Sequence, residues 1–304
     1  MNAVPSSTWF SASPEWGWFV LLYLFLGSLA GGCYFLAALI DLVGRAEDRP
    51  LARLGYYAAF TCLVIGGILL TFDLTRPERF WHLLLQSHTF RPMFKHWSPM
   101  SIGSWALITF GVFALLSFVG TLAEDGRVSW RAARRLRPPG LLARVIAVIG
   151  GLLGLYVAGY TGVLLAVTNR PIWSDTPLLG MLFVVSAASM SAALMILLAR
   201  RSTRTAMPGV LALHRIDTWV LALELLVLIA LVISLGPVAR AWLNAWGLLL
   251  FFGVIVAGVL APLALSWRRD WLGDRNMTAA AALVLAGGFI LRMVIVFSAE
   301  GVGV

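Results

Sequence analysis

Eight long apolar runs constrain this chain more than any other feature, at about 16–42, 54–74, 102–122, 141–167, 178–199, 211–235, 241–267 and 279–299. Each is about as long as the ~20 residues that an α-helix needs to cross a ~30 Å hydrocarbon core. Spanning strands would be shorter and would alternate in polarity, so the runs predict helices. Of the 304 residues, 60% are hydrophobic and 12% charged, too little charge to cover a soluble surface of this size. The expected fold class is all-α integral membrane: a single polytopic domain over 1–304 whose eight transmembrane helices number enough for two four-helix bundles. Small-residue patches at Gly27–Ser28, Gly31–Gly32, Gly150–Gly151 with Gly154, and Gly287–Gly288 predict close helix approach.

A net charge of +9 would point to nucleic acid in a soluble chain. Here it reports topology and contact with membrane lipids, and no nucleic-acid partner is expected. The loops after spans one, three, five and seven hold fourteen basic residues, Arg204 and Arg269 among them, and the opposite loops hold six. The positive-inside rule then places both termini and the segment 66–105 on the extracytoplasmic side. The Arg-rich stretch 123–140 is expected to lie against anionic headgroups. Residues 1–15 carry no Lys or Arg, and the run from Trp16 is too long for a signal-peptide core, so no cleaved leader is expected.

The segment from Gly66 to Trp105 is far richer than a plain linker requires. Asp73, Arg76, Glu78 and Arg79 cluster where a span ends, and His82, His88 and His96 follow, interleaved with Trp81, Phe90 and Trp97. Four of the six outside basic residues lie in this one loop, and its Trp and Arg content is that of an interface, with Trp81, Arg91 and Trp97 as expected docking residues.

Several chemistries are excluded by what the spans lack. A membrane haem needs axial ligands from inside the bilayer, yet no span carries a central His, and there is no CxxCH or CxxC. Cys33 and Cys62 lie inside apolar runs and read as buried thiols. No P-loop, GxSxG or HExxH is present. The chain is expected to hold no haem and no metal.

Aromatic, hydroxyl and acidic groups remain at the outer ends of the first four spans: Trp16, Trp18, Tyr23, Asp73, Ser98, Ser101, Trp105, Tyr160, Thr161 and Asn169. Aromatic walls with a few hydrogen-bonding groups suit an amphiphilic ring with an apolar tail, such as a quinone. The same Trp and Tyr residues also fit an ordinary interfacial belt, and Asp73 beside Arg76 and Arg79 fits either a surface ion pair or a proton acceptor. A second set lies within the membrane. His214, Asp217 and Glu224 share one face of span six, and Arg292 of span eight lies at matching depth, roughly 20 Å at 1.5 Å per residue. With Asp41 they form an expected proton path, or a static ion-paired set, with Glu224 and Arg292 facing inward to pair directly or through water.

Four motifs in order, YLFLGSLAGG (23–32), DLTRPERFW (73–81), SPMSIGSW (98–105) and YTGVLLAVTNRPIW (160–173), resemble the NrfD-like family of polysulfide-reductase-type membrane subunits. The resemblance implies a bacterial or archaeal cytoplasmic-membrane protein without its own cofactor. It would exchange electrons between the quinone pool (menaquinone or ubiquinone) and an extracytoplasmic four-cluster-type iron–sulfur subunit joined to a molybdopterin catalytic subunit. It further implies that Tyr23 occupies the first-helix quinone position, that Tyr160 and Thr161 form the fourth-helix contact, and that Asp73, Arg76 and Pro77 match the DLxRP pattern. The expected quinone set is therefore Tyr23, Asp73, Arg76, His82, Ser101, Trp105, Tyr160 and Thr161. A proton or ion transporter, or a passive membrane anchor, are the competing readings.

Overall fold

The computed structural model describes residues 16–202, 205, 207–268 and 271–300. The leader expectation on residues 1–15, and Arg204 and Arg269 of the basic count, lie outside the described residues. Eight helices are long and apolar enough to cross a membrane. They are α1 (Trp18–Val43), α2 (Arg49–Asp73), α3 (Pro99–Glu124), α4 (Leu141–Ala166), α5 (Leu179–Arg200), α6 (Met207–Leu235), α7 (Ala245–Trp267) and α8 (Asn276–Glu300). The chain is a multi-pass integral membrane protein. Its exposed large apolar side chains, such as Trp219, Leu226 and Ile233 along α6, form a surface that only lipid covers at no cost.

Helix ends extend a few residues beyond the apolar runs because polar first turns are helical too. α2 begins at Arg49 with Pro50 in its first turn, where a missing N–H costs nothing. α3 begins at Pro99, and Ser98 caps it, its Oγ accepting from the Ser101 amide at 3.4 Å. α7 is wound as a π-helix over Leu250–Leu260. There Gly258 meets Gly287 of α8 backbone to backbone, and a Cβ on Gly258 would lie 2.7 Å from the Gly287 Cα.

The central helix is α1. A Cβ at its Gly31 would fall 2.2 Å from the Gly154 carbonyl oxygen of α4, and one at Gly32 would meet Ser191 Oγ of α5 at 2.3 Å. Phe25 meets Phe289 of α8 edge-on at 5.4 Å. Tyr34 of α1 reaches Ser117 of α3 at 2.7 Å and donates to the Ile146 carbonyl of α4.

At the end of the bundle opposite the α2–α3 loop, the sequence expectation for 123–140 needs correction. Arg134 and Arg135 are exposed, but Arg137 turns inward and is buried. It grips Asp41 of α1 with both Nη atoms and donates from Nε to Glu124 at 2.7 Å, while its guanidinium lies 4.9 Å from the Tyr56 ring. Burial alone would pull this guanidinium down; Asp41, Tyr56 and Glu124 hold it above its ordinary value. Arg53 and Tyr57 of α2 close the same end by bonding Asp125, each at 2.7 Å. Asp41 thus belongs to a structural clamp rather than to the α6 face.

Breaking a buried ion cluster from one side costs about 3–5 kcal/mol. Arg137→Ala is expected to lower the thermal midpoint of the detergent-solubilised protein, and the exposed Arg134→Ala is not. Equal midpoints for the two variants would show that the clamp does not hold the 125–140 loop.

Candidate functional site

The α2–α3 loop folds over one end of the bundle. Pro77–Leu83 makes a short 3-10 helix, and the chain then doubles back. Leu85 bridges Pro92, the Gln86 amide donates to the Arg91 carbonyl at 2.9 Å, and Met93 donates to Leu84 at 2.7 Å. Phe90 takes a left-handed backbone (φ 52°) at the turn, which lays its ring on Trp81 at 5.5 Å and 8° between planes. Trp105 reaches up from α3, its Nε1 donating to the Met93 carbonyl at 2.9 Å, and Ser101 Oγ accepts from the Lys95 amide at 3.0 Å. Those two α3 residues clasp the loop.

Beneath the loop is a cavity of about 580 Å³ between α1, α2, α3 and α4, within the ~300–1,000 Å³ range of small-molecule sites. Its roof is Phe80, Leu83 and Leu84 of the loop; its inner wall is Tyr23, Gly103, Tyr160 and Leu164; its flanks are α2 from Leu63 to Leu74 and α3 from Met100 to Ile108. No charged side chain lines it. Gly103 makes room for the Tyr160 ring, since a Cβ there would lie 2.0 Å from Tyr160 Cζ.

Most polar groups on the lining are satisfied by nearby backbone. Thr71 donates to Gly67, Ser104 to Met100, and Tyr160 to the Pro99 carbonyl at 2.9 Å. Tyr23 differs. It is 3% exposed, lines the cavity, and makes no hydrogen bond to another described residue. A phenol without a protein partner is costly, and here it lines a cavity where a ligand could supply that partner.

The expected set divides accordingly. Tyr23 and Tyr160 line the cavity together. Asp73 sits exposed at the mouth between lining residues Phe72 and Leu74, and among the described residues it forms no ion pair with Arg76 or Arg79. Arg76 is exposed, and His82 packs edge-on against Trp81 at 4.0 Å. Thr161 lies behind the wall, its hydroxyl 3.2 Å from Ser28 Oγ and donating to the Ala158 carbonyl. Trp16 and Trp18 turn instead to Trp173 and Phe297, at 5.1 and 5.0 Å. Arg91 and Trp97 are exposed on the loop, Trp97 at 70%. The sequence reading missed Phe80, Leu84, Met100 and Gly103, although all but Leu84 lie inside the motifs DLTRPERFW and SPMSIGSW.

A second polar cluster is buried between α5, α6 and α8. Asp217 (3% exposed) accepts from Ser189 at 2.8 Å. Glu224 (5% exposed) and Arg292 are buried too, and Ser186 accepts from Arg292 Nη1 at 3.3 Å. Among the described residues no salt bridge joins Glu224 to Arg292. Arg292 Nη1 also donates to the Gly288 carbonyl at 2.9 Å, its guanidinium lies 4.8 Å from the Phe183 ring, and among the described residues its Nε and Nη2 have no partner. His214 is half-buried one turn before Asp217. The serines came with a signal that sequence reading passed over, the run SAASMS inside an otherwise apolar span.

Comparison with known proteins places the whole chain. A polysulfide reductase chain of Wolinella succinogenes is 29% identical over 307 aligned positions, covering 94% of each protein. Protein NrfD of Escherichia coli is 26% identical over 313, covering 94% of this chain and 95% of that one. A selenate reductase subunit of Mesobacillus selenatarsenatis is 26% identical over 102 positions, 34% of this chain and 22% of that one. The family model described as polysulphide reductase, NrfD, matches residues 10–302, and the chain belongs to that family of membrane proteins.

Proposed function

We propose that this chain is the quinone-reactive membrane subunit of an oxidoreductase complex, with the cavity beneath the α2–α3 loop as its quinone site. The observation that carries the reading is Tyr23, which lines an apolar cavity and makes no hydrogen bond to another described residue. A quinone oxygen would complete its hydrogen bond. Oxidation of a quinol releases two electrons and two protons, and Asp73 at the mouth would accept a proton on the way to water. The electrons would pass to an extracytoplasmic iron–sulfur subunit joined to a molybdopterin catalytic subunit, the kind of assembly that the relatives' names, as parts of polysulfide and selenate reductases, point toward.

In this reading the loop face and both termini are extracytoplasmic, because the basic residues collect on the opposite end. Helices α1–α4 form the quinone bundle and α5–α8 a second one. The Trp81–Phe90 stack with exposed Phe94, Trp97 and Arg91 forms the partner-docking surface. The buried carboxyls Asp217 and Glu224, with Arg292 and half-buried His214, form a proton relay in the second bundle. The same cluster would serve an ion transporter, which would move protons without any quinone.

Three outcomes test these assignments. Tyr23→Phe deletes one hydrogen bond to the bound ring, about 1–3 kcal/mol, so quinol-coupled turnover should rise in KM roughly 5- to 150-fold with partner subunits still assembled. An unchanged KM would remove Tyr23 from the site. Trp81→Ala with Arg91→Ala should release the partner subunit on purification, and an intact complex would assign the loop another role. Glu224→Gln keeps the size of the side chain but holds no charge. It should slow proton uptake coupled to turnover without altering inhibitor binding at the cavity; normal proton uptake would end the relay, and proton movement without quinone would favour the transporter.

A further inference from the structure

The Arg137 clamp leaves the other cations of its loop uncompensated. Between positions 123 and 144 the chain carries six arginines and two acidic residues, Glu124 and Asp125. Arg137 holds Glu124, while Arg53 and Tyr57 hold Asp125. Arg127, Arg134, Arg135 and Arg144 are exposed, and none of the four forms an ion pair among the described residues. Arg127 rests 5.8 Å from the Tyr57 ring. Arg134, Arg135 and Arg144 have neither a carboxylate nor a ring as partner among the described residues.

Arg144 is the anomaly. It lies in the first turn of α4 and shares one face with Leu141, Val148 and Leu152, by their 3-4-4 spacing. Those three are exposed apolar residues of a membrane span, Leu141 at 77%, so that face meets lipid. Arg144 therefore stands about 4.5 Å further into the span than an exposed leucine, at 1.5 Å per residue. A guanidinium on a lipid-facing stripe is costly unless it reaches an anion at the headgroup level. The loop packs beside it, since a Cβ on Gly140 would come 3.8 Å from the Arg135 carbonyl oxygen. Trp130, 63% exposed, stands one turn before Arg134, and an exposed indole suits the level where headgroups meet acyl chains. The buried Arg137 fixes this surface to α1 through Asp41 and to α3 through Glu124.

We propose that Arg134, Arg135 and Arg144, with Trp130 and Leu141 beside them, bind the phosphate headgroup of an anionic phospholipid at the end of the bundle opposite the α2–α3 loop. Guanidinium groups pair with phosphate oxygens through two hydrogen bonds at a time. A zwitterionic headgroup carries its own cation and gains little from three more, whereas an anionic one has none. A free phosphate ion would complete the charges but leave Trp130, Leu141 and Leu142 in water; acyl chains cover them. The site is separate from the cavity and from whatever the cavity holds.

The test places the full chain in nanodiscs of phosphatidylcholine and phosphatidylglycerol, with the acyl chains of one or the other brominated. Quenching of Trp130, read as wild type minus Trp130→Phe, reports which lipid occupies the site. Phosphatidylglycerol should be preferred by about 10-fold or more at low salt, since each arginine at an anionic surface adds about 5-fold. The preference should shrink as salt screens it. Arg144→Gln should lower it about 5-fold, and Arg134→Gln, Arg135→Gln and Arg144→Gln together should abolish it. Arg45→Gln, at the same end of the bundle but paired with Glu47, should leave it unchanged. No preference in the wild type would overturn the site whether or not the variants fold, and so would a preference that survives the triple variant. An equal loss in Arg45→Gln would reduce the site to general surface charge. Relief of quenching by inorganic phosphate at constant ionic strength would assign the three cations to a free anion, and either result overturns the lipid site.

Discussion

The contact on which the rest of the structure depends is the approach of α1 and α4 at Gly31 and Gly154. Lipid tails are as apolar as leucine, so membrane helices gain little by hiding apolar surface from one another and associate through close packing and polar contacts. A single added Cβ would strike a carbonyl oxygen here. The absence of side chains lets Ser28 and Thr161 come within 3.2 Å of each other, and, further along the same two helices, sets Tyr23 and Tyr160 in one cavity wall. On its next face α1 uses Gly32 to admit Ser191 of α5, which ties the second half of the chain to the first. One helix thus fixes the depth of the site and joins it to the buried charges beyond.

The cavity owes its character to what is withheld from it. Thr71, Ser104 and Tyr160 each donate to a backbone carbonyl, and Trp105, whose indole would have added a donor, donates to Met93 in the loop. An apolar space with most of its polar groups occupied is a low-dielectric space, where a single free donor is worth more than in water.

Much of the fold was legible because apolar length is read directly from sequence, and the eight runs became helices with ends displaced outward where polar turns such as Arg49–Arg53 are helical and inward at α7, where Gly236–Trp242 winds as a 3-10 helix before Ala245. Tyr23 and Tyr160 were legible too, as hydroxyl-bearing rings at one end of apolar spans. Trp105 and Ser101 hold the loop instead of lining the cavity, since depth follows from position along a helix whereas the facing direction depends on a neighbour distant in sequence. Phe80, Leu84 and Met100 could not be found, because an apolar residue in an apolar chain offers no contrast. Arg137 could not be told from Arg134 by composition; what turns it inward is Asp41, 96 residues earlier.

The two buried guanidinium groups show why charge in a membrane protein is not one phenomenon. Arg137 spends Nε and both Nη atoms on two carboxylates. A cation so completely matched has no other arrangement of similar energy, and it acts as a rivet. Arg292 is matched only at Nη1, and there by a serine hydroxyl, a thioether and a backbone carbonyl, all neutral. The acidic group that acts on it is the buried Glu224, so the energy of the whole cluster depends on whether that carboxyl holds a proton.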